Sequence, residues 1–373
     1  MLTFYLLLGI LYALALLWLG SLWAKSLMEK KDQEKTVEWV SILIPFRNEA
    51  ENIPKLFASL IQLRHRPFEV LFVDDHSEDE GRQLLSQLIM EHEDLDIRFT
   101  ILQNQGKGKK EAVETAINYA EGTIMLTTDA DCDLPADWIA IYLYAFNSPT
   151  VQLAAGPVMS HSGNSLLSTF QQIEWASILL MTKMGFVTGR PLMCSAANMA
   201  YRKEAFLQVG GYTGNKQHFS GDDEFLLKKI SKHFGGKSTV YLPENKVWTS
   251  GEASWSKLFA QRARWASKWR MHGSFMHGLF AFLPFLLQIS FLGSVALLNQ
   301  GWLGPLIFLW LWSLKFSLER KVLGKVLKDF SLFPSFKNFL FTSVWHPFYV
   351  VIVGFKAVFG KIQWKGRNSA QFN

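Results

Sequence analysis

Three short acidic motifs, each beside an apolar or helical run, are the residues of this chain best suited to chemistry. They are VDDHSED at 73–79, TTDADCD at 127–133 and SGDDEF at 220–225. Asp129 and Asp131 form an Asp-x-Asp pair. A hard divalent cation such as Mg²⁺ or Mn²⁺ takes one or two protein carboxylates and completes its shell with phosphate oxygens. Asp223 could accept a proton as a general base.

Each acidic motif also has an ordinary structural explanation when it is taken alone. One carboxylate of the first motif could cap the following helix, and Asp74 could fill that role while Asp75 faces a ligand. The Asp-x-Asp pair could be a solvated loop. Asp222 and Asp223 could be acids at a helix N-terminus, where the helix dipole favours negative charge, with Gly221 permitting the tight turn before them.

A fourth motif, QRARW, could contact a phosphate group. Its residues Gln261, Arg264 and Trp265 are spaced i, i+3 and i+4 and so share one helix face. Arginine binds phosphate through two parallel hydrogen bonds, and tryptophan offers a stacking surface. The alternative is a basic, tryptophan-rich helix lying in the membrane interface, with Arg262 and Lys268 as anchors.

Apolar runs that alternate with helical patterns predict the elements that position these motifs. The runs are 39–45, 68–73, 97–102, 123–128 and 151–156. Ser77 and Glu80 form a capping-box pattern before the second helix, and a longer apolar helix is predicted at 164–188. Strands that alternate with helices favour a largely parallel sheet. Such sheets bind ligands outside the carboxyl ends of their strands, where the first two acidic motifs lie.

The uncharged apolar run at 2–23 predicts an N-terminal membrane anchor. About 20 apolar residues cross a bilayer as a helix, and this run is longer than the apolar region of a secretory signal. Lysines follow it, which by the positive-inside rule places the middle of the chain in the cytoplasm. They are Lys25, Lys30, Lys31 and Lys35. Cys132 and Cys194 fit that compartment, because a lone pair of cysteines gives no disulfide framework.

Three further apolar segments follow in the last quarter of the chain. They lie at about 275–298, 302–318 and 338–359, and a basic loop that contains Arg320, Lys321, Lys325 and Lys328 separates the last two. If all three cross the bilayer, the C-terminus lies outside, whereas the basic tail predicts that it lies inside. Either one segment is re-entrant or the first assignment is wrong, and the sequence leaves this topology open.

The net charge of +6 is interpreted as Lys and Arg near the membrane that face anionic lipid. A nucleic-acid partner is not expected, because the basic residues flank the apolar segments and form no stripe on the soluble region. The expected domains are an anchor at 1–24, a soluble α/β domain at 38–250, a basic interfacial helix at 251–273, two or three transmembrane segments at 274–360 and a basic tail at 361–373.

Taken together and in this order, the motifs resemble the membrane-bound members of glycosyltransferase family 2, such as cellulose and hyaluronan synthases and ceramide glucosyltransferase. The resemblance covers about 38–270 and includes SILIPFRNEAENI, GKGKKEAVETAI and CSAANMAYRKEAFLQVGGY. The C-terminal IQWKGRN is similar to endings in single-addition members. The resemblance implies a GT-A fold, which is a Rossmann-like α/β domain with a mostly parallel sheet, placed in the cytoplasm between N-terminal and C-terminal transmembrane helices.

The resemblance also implies donor-side roles. Asp75 would contact the nucleotide base near the backbone of Pro45. Asp129 would lie near the ribose and diphosphate, and Asp131 would hold a divalent cation, Mg²⁺ or Mn²⁺. Two further residues, Glu49 in the turn after the first strand and Lys109 in the Lys-rich segment, are expected to bind the donor.

On the acceptor side, Asp223 aligns with the catalytic base, and Asp222 takes the place of the glutamate that usually precedes it. The family's second acidic position after the base is Phe225 here, which leaves the start of the local helix less certain. An acceptor and diphosphate rim would consist of Gln261, Arg264 and Trp265.

The expected activity is metal-dependent transfer of a sugar from a nucleotide-diphosphate sugar, with a UDP-sugar as the expected donor, to a hydroxyl of a lipid or lipid-linked acceptor. One base and no second nucleophile near it favour direct displacement with inversion. The first alternative is a processive polysaccharide synthase, for which four spans are few unless the chain oligomerises. The second is a non-catalytic membrane scaffold that binds nucleotide sugars. The expected location is a plasma membrane of bacterial type.

Overall fold

The computed structural model describes residues 1–24, 39–161, 163, 165–216, 221–267, 275–360, 363–364 and 367–368. The chain divides into two compact units. The first, called the sheet unit here, is Lys25–His161 with Thr182–Ser250. The second, called the helical unit, is Met1–Ala24 with Ser162–Met181 and Gly251–Asn373.

The described residues form twelve strands and twelve α-helices. The strands are β1 (Val40–Phe46), β2 (Phe68–Asp74), β3 (Ile97–Gln103), β4 (Ile124–Thr127), β5 (Cys132–Asp133), β6 (Leu153–Ala155), β7 (Val158–Ser160), β8 (Met199–Arg202), β9 (Thr239–Tyr241), β10 (Val247–Thr249), β11 (Gln363–Trp364) and β12 (Arg367–Asn368). The helices are α1 (Leu2–Trp23), α2 (Ile53–Ile61), α3 (Gly81–Met90), α4 (Lys109–Tyr119), α5 (Trp138–Phe146), α6 (Leu166–Val187), α7 (Lys203–Gln208), α8 (Asp222–Phe234), α9 (Trp255–Ala266), α10 (Phe275–Gly293), α11 (Leu303–Asp329) and α12 (Phe336–Phe359).

The main sheet of the sheet unit has seven strands in the order β3-β2-β1-β4-β8-β6-β9. The pairs β3–β2, β2–β1, β1–β4 and β6–β9 are parallel, and the two pairs that involve β8 are antiparallel. The side chains of β2 are buried on both faces, as expected of a parallel strand covered by helices. The predicted mostly parallel α/β sheet is therefore confirmed, and each of the five predicted runs contains a strand.

The order in which the chain adds strands to the main sheet reverses at β1, and the acidic motifs lie near this point. The chain moves from β1 through β2 to β3 on one side and then returns to place β4 on the other side of β1. Ligands bind at such a switch point, outside the carboxyl ends of the strands. Pairing of β1 with β4 ends at Leu43 and Thr127, whereas Pro45 still pairs with Val73 of β2. Beyond Leu43, β1 is therefore paired on one side only.

A second sheet has three strands in the order β5-β10-β7. Its strand β5 directly follows the Asp-x-Asp motif in the sequence. Asp133 pairs with Trp248 and Cys132 with Thr249. These strands are two or three residues long, too short to show an alternating pattern in the sequence. They fix the segment that directly follows Asp131.

The helical unit contains three helices that are long and apolar enough to cross a membrane, within the part of the chain that the structure describes. They are Leu2–Trp23, Phe282–Asn299 and Phe336–Phe359. Tyr5 of α1 packs in one cluster with Phe291, Leu297 and Leu311. The apolar side chains on the outside of these helices are exposed, as expected of surfaces that face lipid.

A second apolar cluster of the helical unit joins α6, α9 and α12. Its buried members are Phe170, Leu258, Tyr349 and Val353. Trp255 at the start of α9 packs against Phe170, with ring centroids 4.9 Å apart. The helix predicted at 164–188 is confirmed as α6, and the described part of the basic interfacial helix is α9. Lys268 and residues 268–273 of that predicted helix lie outside the described residues.

Two local predictions were wrong. Ser77 and Glu80 do not form a capping box, because α3 begins at Gly81 and Glu80 makes no side-chain cap; the Ser77 hydroxyl accepts instead from the backbone N–H of Asn48. The predicted basic loop after residue 318 is helical, since α11 continues to Asp329. Its basic side chains are exposed while the residues between them are buried, so this stretch is an amphipathic helix. The buried residues are Val322, Leu323, Val326 and Leu327.

Candidate active site

Asp75 follows β2 and is buried at the carboxyl edge of the main sheet. Its Oδ1 accepts hydrogen bonds from Asn104 Nδ2 at 2.7 Å and from the Gly108 backbone N–H at 2.9 Å. Arg47 donates to the Asp75 carbonyl at 2.9 Å. These bonds fix the carboxylate beside the loop that leads into α4, so Asp75 is a rigid polar group at the switch point.

Asp74, the other member of the first acid pair, has a structural role. Its Oδ1 accepts from the Ser77 backbone N–H at 2.8 Å, and its Oδ2 lies 3.6 Å from Arg82. This bond closes the turn after β2, because an aspartate can accept from a backbone N–H a few residues on. The sequence weighed Asp74 as a cap of the following helix, but α3 begins at Gly81 with Glu80 at its N-cap position, so Asp74 closes the turn instead. The ligand role of Asp75 stays a prediction.

Lys109 links the Asp-x-Asp motif to the second acid pair. Its Nζ lies 2.5 Å from Oδ1 of Asp129 and 3.3 Å from Oδ2 of Asp222. Burial lowers the pKa of Lys109, but the charges of Asp129 and Asp222 outweigh burial, so the pKa lies above its usual value. The lysine therefore stays cationic. Lys109 thus contacts two segments that are far apart in the sequence, the one that follows β4 and the one that begins α8.

Asp131 lies close to two other carboxylates. Burial, together with the charges of Asp129 and Glu49, raises the pKa of Asp131 to about 6, although a hydrogen bond from Thr249 opposes the rise. The Thr249 hydroxyl donates to Asp131 Oδ2 at 3.0 Å. Glu49 itself accepts a hydrogen bond from Asn52 at 2.6 Å. Like charges held together in this way favour either a proton or a bound cation.

The side chains around Asp131 fit a divalent cation in part. They offer the hard carboxylate oxygens that Mg²⁺ and Mn²⁺ prefer. Among the described residues, no group of three or more His, Cys, Asp or Glu side chains could hold a metal by itself. A cation here would therefore take further ligands from a bound phosphate or from water, which is how Mg²⁺ usually binds.

Asp223 lies in the first turn of α8, after Gly221. Gly221 has a φ of +87°, a left-handed conformation that glycine adopts at little cost. The Asp223 carboxylate accepts from the backbone N–H of Glu224 at 2.7 Å and more weakly from that of Ala196 at 3.4 Å. Its charge also acts on Lys109. The prediction that the acid pair opens a helix is confirmed.

The QRARW motif lies on α9 in the helical unit. The sequence interpretation of Arg262 as an interfacial anchor was wrong, because its side chain is buried and pairs with Glu174 of α6, with Nη2 2.9 Å from Oε2. Gln261, Arg264 and Trp265 are each partly exposed. The spacing argument missed Glu174, although a glutamate inside an apolar helix is a signal in its own right.

Sequence reasoning also missed Asn104 and Thr249. Asn104 is buried and bonds Asp75, and Thr249 bonds Asp131. Nothing in their local patterns marks them, since each is brought to its aspartate by strand order. By contrast, the sheet unit brings together the predicted donor-side residues. They are Pro45, Glu49, Asp75, Lys109, Asp129 and Asp131, and the same unit contains the predicted acceptor-side acids Asp222 and Asp223.

Comparisons with known proteins concern the family and the fold of the chain. Residues 41–210 match the family model described as Glycosyl transferase family 2. The chain is 24% identical over 242 residues to a poly-beta-1,6-N-acetyl-D-glucosamine synthase of Staphylococcus epidermidis, covering 63% of this chain and 56% of that protein. It is 29% identical over 262 residues to a beta-monoglucosyldiacylglycerol synthase of Trichormus variabilis, covering 69% of this chain and 55% of that protein. The chain thus spans little more than half the length of these relatives.

A solved structure with a similar fold is the mannosyltransferase PcManGT from Pyrobaculum calidifontis, in complex with GDP-Man and Mn²⁺. The TM-score is 0.59 at 17% sequence identity, and the match covers 96% of this chain and 97% of that one. The described sheet unit therefore has the GT-A fold that the sequence motifs imply.

Proposed function

We propose that the protein transfers a sugar from a nucleotide-diphosphate sugar to a hydroxyl of a lipid or lipid-linked acceptor at a membrane, because residues 41–210 match the family model described as Glycosyl transferase family 2. The observation that carries this proposal is Lys109, whose Nζ contacts both Asp129 and Asp222. It joins the proposed donor side of the site to the helix that carries the proposed base.

On the donor side, the residues at the carboxyl ends of the strands bind the nucleotide. Asp75 recognises the base beside the backbone of Pro45, and its bonds to Asn104 and Gly108 keep it in one orientation. Asp129 contacts the ribose and diphosphate. Lys109 supplies positive charge next to the diphosphate, and charge-assisted bonds of this kind are stronger than neutral ones.

A divalent cation, Mg²⁺ or Mn²⁺, belongs to this proposal, with Asp131 as its protein ligand and Glu49 nearby. When bound, the cation stabilises negative charge on the leaving diphosphate, an effect worth several kcal/mol. Thr249 holds Asp131 in one orientation. The raised pKa of Asp131 supports this role, because a cation relieves the repulsion among these carboxylates.

Asp223 takes the proton from the acceptor hydroxyl. Its backbone hydrogen bonds, from Glu224 and Ala196, orient the carboxylate at the start of α8. A general base of this kind contributes about 10²–10⁴-fold to the rate. The oxygen that loses the proton attacks the anomeric carbon while the bond to the diphosphate breaks. We propose a single displacement with inversion, since one carboxylate acts as base and no covalent intermediate is needed.

Gln261, Arg264 and Trp265 are the residues of the helical unit that we propose for contact with the acceptor, and Asp222 is the residue of the sheet unit that we propose for the same role. A lipid acceptor is supported by the three candidate membrane helices and by the similarity to the beta-monoglucosyldiacylglycerol synthase of Trichormus variabilis. We place the site on the cytoplasmic face, because Lys25, Lys30, Lys31 and Lys35 follow the first span.

A processive polysaccharide synthase is the second candidate function. The observation that favours it is the similarity to the Staphylococcus epidermidis synthase. It needs a path for a growing polymer through the membrane, and the described residues contain three candidate spans. Single addition is therefore the function we propose first.

The test uses the full chain, purified and reconstituted in lipid nanodiscs. A panel of UDP- and GDP-sugars is incubated with membrane lipid extract and Mn²⁺ or Mg²⁺, and products are identified by mass. We expect one donor to release its nucleoside diphosphate and to yield a lipid that is heavier by one sugar. A ladder of products would instead support the synthase.

A chelator arm tests the cation. EDTA should abolish release of the nucleoside diphosphate, and added Mn²⁺ or Mg²⁺ should restore it. Donor binding without turnover under every condition, with each acceptor fraction tried, would support a nucleotide-sugar-binding scaffold and contradict the proposed function.

A further inference from the structure

The buried ion pair between Glu174 and Arg262 lies inside the helical unit. Both side chains are almost fully buried, 8% and 4% exposed. Nε of Arg262 donates to both Glu174 oxygens at 3.1 and 3.0 Å, and the Tyr349 hydroxyl donates to Oε1 at 2.8 Å. A buried pair of this kind often stabilises a fold no more than apolar side chains of similar volume would. Stability alone therefore does not account for it.

Arg262 also contacts two residues of the QRARW motif directly. Its Nη1 donates to Oε1 of Gln261. Its guanidinium lies over the ring of Trp265, 4.2 Å from the centroid, and over the ring of Trp175 at 4.8 Å. The two indoles meet edge to face at 5.9 Å. Arg262 thus restricts the side chains of Gln261, which precedes it in the motif, and of Trp265, which follows it.

A second buried ion pair in the same unit lies away from the QRARW motif, and its lysine, Lys315, lies over the rings of Phe291 at 5.6 Å and Trp312 at 5.9 Å instead. Lys315 donates to both oxygens of Glu319 at 2.8 and 2.9 Å and to the Ser343 carbonyl at 2.7 Å. Tyr12 donates to Glu319 at 2.7 Å. This pair joins α1, α11 and α12. It is similar to the first in burial and charge, which makes it a matched reference.

We propose that Arg262, held by Glu174, is a positioning residue that sets the side chains of Gln261 and Trp265 for the acceptor. This rests on the proposed function, in which Gln261 and Trp265 belong to the acceptor rim. The planar guanidinium suits the task, because it can bond a carboxylate through two nitrogens while its faces stack on aromatic rings. A lysine has the same charge, but its ammonium group cannot bond a carboxylate through two nitrogens and has no planar face to stack on a ring.

The first variant is Arg262→Lys, which keeps the positive charge next to Glu174. We expect the acceptor KM to rise and kcat to fall, together lowering kcat/KM for acceptor by about 10²-fold, as a misplacement of about 1 Å can do. Donor binding, measured by titration with the nucleotide sugar, should stay as in the wild type. Tyr349→Phe keeps the ion pair and should retain most of the activity.

The double variant Glu174→Gln with Arg262→Met separates positioning from stability. It removes both charges, so the melting temperature should recover relative to Glu174→Gln alone, where the arginine is left buried without its carboxylate. Acceptor kcat/KM should stay low, because Gln261 and Trp265 have lost their contact. Recovery of both stability and kinetics would overturn the proposal.

The reference double variant is Lys315→Met with Glu319→Gln. This variant should have a changed melting temperature. Its acceptor kcat/KM, compared with its donor affinity, should stay as in the wild type. An equal loss of acceptor kcat/KM in this variant, or wild-type acceptor kinetics in a folded Arg262→Lys protein, would contradict the positioning role. A wild-type protein without transfer would instead contradict the proposed function, so the two failures are distinguishable.

Discussion

At the residue scale, the adjacent acids Asp74 and Asp75 have different surroundings. Asp74 closes the turn after β2, whereas Asp75 is held by Asn104 and Gly108. Because the two carboxylates have different surroundings, we expect their substitution to affect donor binding differently. Donor binding can test this division without knowledge of the acceptor.

We predict that Asp75→Asn weakens donor binding by about ten- to a hundred-fold. Loss of a hydrogen bond to a charged group costs about 1.5–3 kcal/mol, and 1.4 kcal/mol corresponds to about ten-fold. The measurement is calorimetric titration of the nucleotide sugar into the reconstituted protein. Asp74→Asn is the control, since an amide oxygen can still accept from Ser77, and its donor affinity should match the wild type. Equal losses in the two variants would argue against the division.

The sequence marks the acids of the proposed site, but it does not mark all of the residues that hydrogen-bond to them. Asp129, Asp131 and Asp223 stand out because carboxylates follow strands or open a helix. Asn104 and Thr249 become visible only when strand pairing brings them to Asp75 and Asp131. Side-chain contacts of this kind depend on strand order, which local spacing does not contain.

At the element scale, the long strands were predictable and the short ones were not. β1 to β4 are continuous apolar runs bounded by polar turns, the pattern of a buried parallel strand. β5, β7 and β10 have two or three residues each and show no period. The extension of α11 past residue 318 was missed because its charges were read as a loop, although its buried residues recur at helical spacing.

Glu69, at the opposite end of β2 from the site, ties three parts of the sheet unit together. Its Oε1 accepts from the Ser41 hydroxyl at 2.5 Å and from the backbone N–H of Glu121 at 2.6 Å, and Arg98 donates to Oε2 at 2.7 Å. Burial raises the pKa of Glu69, but these hydrogen bonds outweigh burial, so the pKa lies below its usual value. The charged form therefore stabilises the fold.

We predict that Glu69→Gln lowers the free energy of unfolding of the sheet unit by about 1–3 kcal/mol at neutral pH. Because the folded pKa is lower than the unfolded one, this stabilisation is present above about pH 4.3 and is lost as pH falls through the folded value. Wild type and variant should therefore converge in acid. Urea unfolding of the full chain in detergent, followed by tryptophan fluorescence, measures this.

The control for this prediction is Asp137→Asn, which removes an exposed ion pair with Arg64. Exposed pairs contribute about 0–1 kcal/mol, so this variant should unfold nearly as the wild type does. A stability gap between Glu69→Gln and wild type that persists unchanged at low pH would show that the carboxylate charge is not responsible.

At the scale of the whole molecule, the chain combines a GT-A sheet unit with a helical unit that contains three candidate membrane spans. The apolar runs predicted these helices because length and composition suffice to identify a span. Topology did not follow from the sequence, since the basic tail and the number of segments disagree.

We predict that the sheet unit faces the cytoplasm. Inside-out membrane vesicles from expressing cells should then use an added nucleotide sugar, because its charged diphosphate does not cross the bilayer. Sealed right-side-out vesicles should use it only after permeabilisation. Nucleoside diphosphate release in both preparations measures the difference, and activity in intact right-side-out vesicles alone would reverse the orientation.

Asp223, at the start of α8, is the residue that we propose as the base of the transfer step, and a comparison of Asp223→Asn with Glu224→Gln tests this role. Glu224 is the next acid in the chain and pairs with Lys228 at 2.7 Å, so it is a matched control. With the donor and acceptor found in the panel, Asp223→Asn should bind the donor as the wild type does and transfer about 10²–10⁴-fold more slowly. Glu224→Gln should retain most of its activity. Transfer at the wild-type rate by Asp223→Asn would contradict the account.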